Sequence, residues 1–258
     1  KGRNMNKILV FQLINRKVRL DAEDIEFVTR LIENGNISIF HMPEFRQHIS
    51  KKRLKSAEAK ISVWKKMDDG VAGGTVDHNM TELTTRGLAS IQRTTRLLGP
   101  LSSLSPVYEA AHKLKVLTIG PRTEMEIFHL IALGFKPENI QGLDLISYSD
   151  YIKLGDMHDI PFDSNTFDVC ISSWTIGYST EPQKVIDEMC RVTKSSGLIS
   201  IGYTHDHKRE SYIDKNQDKA HTAGSGFKTA LEVLGLFRNV AHKVHYVQEP
   251  VDSKANKM

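Results

Sequence analysis

Only two cysteines, Cys170 and Cys190, occur in the 258 residues, which excludes a framework of several disulfides. They sit in segments with the texture of a core strand and a helix, where a small buried hydrophobe is the expected role. Long apolar runs are missing too. None approaches the ~20 residues that would span a bilayer. The run from Ile8 to Ile14 is interrupted by Gln12 and meets Asn15, Arg16 and Lys17 with no small-residue cleavage site, so it reads as a buried strand rather than a signal peptide. Charge of one sign is scarce: 35 Lys and Arg against 31 Asp and Glu leave a formal net charge of +4, too little to specify a partner. What is present, 40% apolar and 26% charged residues, is ordinary for a globular protein with one large domain or one domain and a smaller unit. A cytoplasmic protein is expected. The sequence opens at Lys1 rather than Met and is expected to be a piece of something longer.

Residues 1–110 read as a mainly helical region and 111–258 as a separate α/β domain. Asp21 to Glu33 forms a helix with Ile25, Val28, Leu31 and Ile32 on one face and a stop at Asn34-Gly35. Residues 46–67 form a basic helical stretch, and Asp68 to Gly74 a glycine-rich loop. A further helix carries Leu83, Leu88, Ile91, Thr95 and Leu98 and ends at Gly99-Pro100.

From Lys115 short apolar runs alternate with amphipathic helices, which predicts a Rossmann-like, mostly parallel sheet with helices on both faces. The strands are Val116 to Ile119, Ile140 to Leu145, Phe167 to Ser172 and, after a turn at Ser195-Ser196-Gly197, Leu198 to Gly202. Thr123 with Glu126 and Thr180 with Gln183 form capping boxes for two helices. Phe227, Ala230, Leu231 and Leu234 predict a late helix, and Val240 to Val247 alternates like an edge hairpin.

In such a sheet the ligand lies outside the carboxyl ends of the strands, near the first strand-turn-helix unit. That unit is V-L-T-I-G-P-R-T-E, residues 116–124. Gly120 admits close backbone approach, and the capped helix presents free N–H groups to an anion. The second strand ends in an acid, Asp144, suited to accept hydrogen bonds from ribose hydroxyls.

The run G-D-M-H-D-I-P-F-D-S-N-T-F-D-V-C-I-S-S-W from Gly155, followed by E-P-Q-K-V-I-D-E-M-C-R-V-T-K-S-S-G-L-I-S-I from Glu181, resembles the type 11 class I S-adenosylmethionine-dependent methyltransferases, the group that includes quinone-biosynthesis methylases. The resemblance implies that S-adenosylmethionine is the cofactor. Gly120 and Pro121 would lie beside its methionine part, and Asp144 with Leu145 beside the ribose. Asp156 would meet the adenine amino group, Met157 would pack on the ring, and His158 would frame the pocket. Ser173 and Trp174 would line the methyl-donor pocket. Two departures stand out. Thr118 replaces an acid of the first motif, and Arg122 and Glu124 stand where the family has glycines. The expectation is that Arg122 pairs with the methionine carboxylate and Glu124 meets the amino group. No G-x-G-x-x-G is present, which argues against a dehydrogenase. The second departure is that only a dozen residues separate Asp144 from Asp156. The helix between these strands is therefore expected to be shortened or missing, with Tyr148 and Tyr151 closing over the adenosine.

His205 and His207, with Asp206 between them, follow the last strand and are the candidates for a catalytic base on a hydroxyl acceptor. Asp168 reads as a structural residue at the start of its strand. Arg46, Lys51, Lys52, Arg53, Lys55, Lys60, Lys65 and Lys66 read as a solvated face, with nucleic-acid docking the alternative. The N-terminal helices are expected to cover the carboxyl edge and shape the acceptor pocket. The expected function is methylation of a hydroxyl on a small molecule such as a sugar or lipid. The alternatives are an RNA or protein methyltransferase, and a binding module that kept the fold without catalysis. No metal is called for.

Overall fold

The computed structural model describes residues 21–34, 38–65, 74–83, 91–203, 227 and 229–248. Eight helices follow one another among these: α1 (Ala22–Glu33), α2 (Pro43–Ala57), α3 (Thr75–Thr81), α4 (Ile91–Ser102), α5 (Ser105–Ala110), α6 (Glu124–Ala132), α7 (Pro182–Val192) and α8 (Ala230–Gly235). The strands are β1 (Ser62–Val63), β2 (Val116–Ile119), β3 (Ile140–Asp144), β4 (Ile146–Ser147), β5 (Ile152–Leu154), β6 (Phe167–Ser173) and β7 (Thr193–Gly202).

Five strands form a parallel sheet in the order β5-β3-β2-β6-β7. The chain runs outward from β2 through β3 to β5, then returns to the other side of β2 for β6 and β7. That reversal opens a crevice above the carboxyl ends of β2 and β6, the place where such sheets bind ligands. Both faces are covered because β2 and β6 alternate apolar side chains up and down. Leu117, Ile119 and Cys170 join Val185, Ile186 and Met189 of α7 and Val233 of α8 in one cluster. Val116, Val169 and Ile171 join Ile127 and Leu130 of α6 in a second, which also takes Leu97, Leu98 and Leu101 of α4 and Val107 of α5. The region before residue 111 therefore helps α6 to build one of the two layers of the sheet's core. Burial pushes the Cys170 thiol up to about 12, in keeping with a packed hydrophobe.

Several local expectations are corrected. The helix expected to stop at Gly99-Pro100 runs through Pro100 to Ser102; residues 84–90 at its other end lie outside the described residues. Thr123 caps α6 by accepting from Met125 N–H, but Glu126 does not return the bond. Its buried carboxylate accepts instead from the Thr118 hydroxyl, so the strand threonine recruits an acid from α6. α7 is capped at Glu181 rather than Thr180, with no side-chain bond to its first turn. β7 begins at Thr193, with Ser195-Ser196-Gly197 inside it as an irregularity beside β6. Residues 241–248 form no strand, and Val240, Val244, Tyr246 and Val247 are exposed. Leu231 is exposed as well, and Val233 takes the buried position of α8. The expected strand at 8–14 and the loop at 68–73 lie outside the described residues.

The short gap between Asp144 and Asp156 holds no helix. β4 and β5 fill it, and β4 pairs antiparallel with β1, so a piece of the N-terminal region is stitched beside the sheet.

Candidate functional site

An open cleft, about 510 Å³ with the solvent space at its mouth included, lies at the carboxyl ends of β2 and β3. Its walls are Ile119, Gly120 and Arg122 after β2, Leu143, Asp144 and Leu145 around the end of β3, and Gly155, Asp156 and Met157 after β5. Thr175 and Tyr178 follow β6, and Thr75 and Asn79 come from α3.

The first loop turns through two left-handed residues, Gly120 and Arg122, at φ +68° and +54°. Gly120 is required by the fold as well: a β-carbon there would lie 2.2 Å from the Thr175 hydroxyl oxygen, which is fixed by donating to Ile119 O at 2.8 Å. Asp144 organises the same loop. Its Oδ2 accepts from Arg122 N–H at 2.8 Å and its Oδ1 from Ile146 N–H at 3.2 Å. Burial raises this carboxyl above the usual range, and the two N–H donors with the Arg122 charge oppose that shift. The Arg122 guanidinium donates to the Asn79 side-chain oxygen.

The third loop is held from within. Asp156 accepts from His158 N–H at 2.9 Å, and its Oδ1 lies 2.6 Å from the ring Nδ1. The other ring nitrogen of this fully buried histidine meets Ser179 Oγ at 2.7 Å. His158 thus stands behind Asp156 and steadies it, and it is not among the residues lining the cleft.

Of the residues singled out from the sequence, Gly120, Arg122, Asp144, Leu145, Asp156 and Met157 meet in one cleft. Pro121, Glu124, Ser173 and Trp174 do not line it. Glu124 is wholly buried and turned toward Arg53 of α2, which grips it with two bonds of 2.6 and 2.8 Å; Ser149 Oγ donates a third at 2.6 Å. A carboxylate so engaged is not presented to a ligand amino group. The Trp174 ring packs on Gly202, and the Trp174 backbone N–H donates to Gly202 O at 2.9 Å. Tyr148 does not close over the cleft either. It is buried with its hydroxyl accepting from Glu124 N–H at 3.1 Å, and burial pushes the phenol up to about 12. Tyr151 packs into the second apolar cluster. His205, Asp206 and His207 lie outside the described residues.

The basic stretch is likewise not a uniform solvated face. Arg46 is buried and donates to the Phe40 and His41 carbonyls, and Arg53 is committed to Glu124, while Lys51, Lys52, Lys55 and Lys60 are exposed. Asp168 behaves as a structural residue, accepting from Lys115 N–H and Lys194 at 2.8 Å each. Burial opposes its ionisation, but these donors outweigh it and hold the carboxyl below the usual range. The lining residues not singled out from sequence are Thr75 and Asn79 of α3, Thr175 and Tyr178 after β6, and Ile119, Leu143 and Gly155 beside the candidates themselves. For Thr75 and Asn79 a signal was available in the helical spacing of Val76, Met80 and Leu83, which puts positions 75 and 79 about a quarter turn to one side of the apolar stripe.

Residues 130–201 match the methyltransferase domain family. The biotin biosynthesis bifunctional protein BioHC of Teredinibacter turnerae is 36% identical over 73 residues, which are 28% of this chain; the chain thus spans about 13% of that relative's length. Among solved structures, an S-adenosylmethionine-dependent methyltransferase of Thermotoga maritima aligns at 15% identity with a TM-score of 0.41, covering 69% of this chain and 90% of its own. A chain of the Haloferax volcanii complex between the Trm112 methyltransferase activator and a methyltransferase aligns at 17% identity and a TM-score of 0.44, covering 68% and 77%. Residues 130–201 thus carry a methyltransferase-domain match within a Rossmann-like sheet, and a domain of this kind implies S-adenosylmethionine as the methyl donor. Among the described residues no helix is long and apolar enough to cross a membrane.

Proposed function

We propose that this protein is an S-adenosylmethionine-dependent methyltransferase whose donor occupies the cleft above β2, β3 and β5 and whose acceptor is a hydroxyl of a small molecule. The observation that carries the donor assignment is the pairing of two buried, fixed carboxylates, Asp144 and Asp156, with an apolar wall and one cation in a single cleft. These groups suit the donor's parts. Asp144 would accept from the ribose hydroxyls and Asp156 from the adenine amino group. Met157 and Leu145 would flank the ring, and Arg122 would meet the carboxylate. When bound, the donor supplies a methyl group already activated on a sulfonium. The protein's share is to hold the acceptor in line and exclude water, so its rate gain is one of positioning. For a hydroxyl acceptor, His205 and His207 are the candidates to take the proton.

The reading as an RNA methyltransferase is weakened, because Arg46 is buried and Arg53, though half exposed, is engaged with Glu124. Calorimetry of the full chain with S-adenosylmethionine and S-adenosylhomocysteine tests the donor assignment, and methyl incorporation into extracted metabolites or total RNA tests the acceptor class. Asp144→Ala is expected to weaken the donor by about 1.5–3 kcal/mol, roughly 10–150-fold. Since ribose binding uses the ionised carboxylate, affinity should fall on acidification at a pH above the ordinary carboxylate range. Unchanged affinity in folded Asp144→Ala removes the ribose role; a wild-type chain that binds neither compound removes the donor reading.

A further inference from the structure

The helix α3 has two working faces. Val76, Met80 and, just beyond its end, Leu83 pack with Leu54, Val63, Ile146 and Tyr148 in a third apolar cluster. Thr75 and Asn79, one turn apart, face the cleft, and the His78 ring lies 6.2 Å from that of Tyr178 on the opposite wall. The apolar face anchors the helix, which fixes what the other face presents.

Asn79 is 9% exposed, and its side-chain oxygen accepts from the Arg122 guanidinium. Arg122 holds φ at +54°, where a residue with a β-carbon is strained by about 1 kcal/mol or more. Glycine would make this turn without strain, so turn geometry does not favour arginine here. The strained backbone is held by the bond from Arg122 N–H to Asp144, and the side chain by Asn79. An amide has a particular merit as the second partner. It accepts a hydrogen bond from the guanidinium without neutralising it, as an aspartate would, and it occupies only part of a group with five donors.

We infer that Asn79 is a positioning residue: it aims the Arg122 guanidinium along the cleft wall so that the free N–H groups meet the carboxylate of the ligand's amino-acid end. The inference rests on the donor assignment above and extends it to the N-terminal region, which thereby contributes to donor selection.

The test is calorimetry of the full chain with two ligands, S-adenosylhomocysteine and 5′-methylthioadenosine, which share the adenosine and the thioether but differ in the amino-acid end, its carboxylate included. Asn79→Ala is expected to weaken S-adenosylhomocysteine by about 3–10-fold and 5′-methylthioadenosine by less than about 2-fold. Arg122→Ala should show the same selectivity with a larger loss, and the double variant should be no weaker than Arg122→Ala, because Asn79 acts through Arg122. Asn79→Asp keeps an acceptor on the guanidinium but cancels its charge, so it should reproduce the selective loss and serves if the alanine variant does not fold. Equal losses for both ligands, or additive losses in the double variant, overturn the inference and leave the donor assignment standing. A wild-type chain that binds neither ligand overturns both.

Discussion

The loops after β2 and after β5 face each other across the cleft but are stabilised in different ways. The loop of Gly155 to Phe162 is held by its own histidine and by one neighbouring helix. Glu188 of α7 accepts from Ile160 N–H at 2.7 Å, and Arg191 donates to the Ile160 and Phe162 carbonyls at 2.7 and 2.8 Å. The loop of Gly120 to Glu124 departs from the glycine-rich pattern and is held from elements 43 and 71 residues earlier, through Asn79 and Arg53. A loop that loses glycines gains side chains, and those side chains need partners. Here the N-terminal helices supply them.

The largest expected effect tests that dependence. Arg53→Ala removes the half-exposed cation that pairs with the wholly buried Glu124, which should cost about 1–3 kcal/mol in denaturant unfolding. Donor affinity should fall with it, since Glu124 opens α6 beside the cleft. A loss below about 1 kcal/mol would mean that Ser149 and water suffice, and that the first loop stands alone as the third does.

Acidification probes the same seam on the other side of α6. His129 is held neutral, its pKa lowered from 6.5 to about 4 by burial first and by the Arg46 and His41 charges second. The unfolded chain takes up this proton as pH drops below 6.5 and the folded chain does not, so stability present at neutral pH is lost between about 6.5 and 4. The loss should approach about 3 kcal/mol near pH 4. Unfolding of His129→Gln across that range should show a shallower slope; an identical slope would remove His129 as its source.

A smaller effect separates shape from charge. Arg122→Gly relieves the left-handed strain, so the fold should gain or hold about 0.5–1 kcal/mol while affinity for S-adenosylhomocysteine drops. A destabilised variant would show that the Asn79 bond outweighs the strain. Smallest of all, Lys51→Gln, Lys52→Gln and Lys55→Gln together should leave stability within about 0.5 kcal/mol and donor binding unchanged, in contrast to Arg53 in their midst. A clear loss of donor affinity would extend the dependence on α2 beyond its one buried contact.

What local sequence determined here is the frame. The apolar runs of Val116, Ile140 and Phe167, with helical spacing between them, specify parallel strands and crossover helices, because period and turn chemistry act over a few residues. The order of the loops and the positions of Gly120, Asp144, Asp156 and Met157 follow from that frame, since parallel strands all end at one edge. Tertiary structure alone decided which polar side chains were free to serve the cleft. Glu124 and Arg53 are unremarkable 71 residues apart, yet folding brings them within 2.6 Å and removes both from the roles their types suggested. Asn79 became part of the cleft wall only because the apolar face of α3 docks against β4 and the end of α2. Hydrogen-bond partners far apart in sequence leave no periodic trace, and a buried charge is claimed by whichever partner the packing brings within reach.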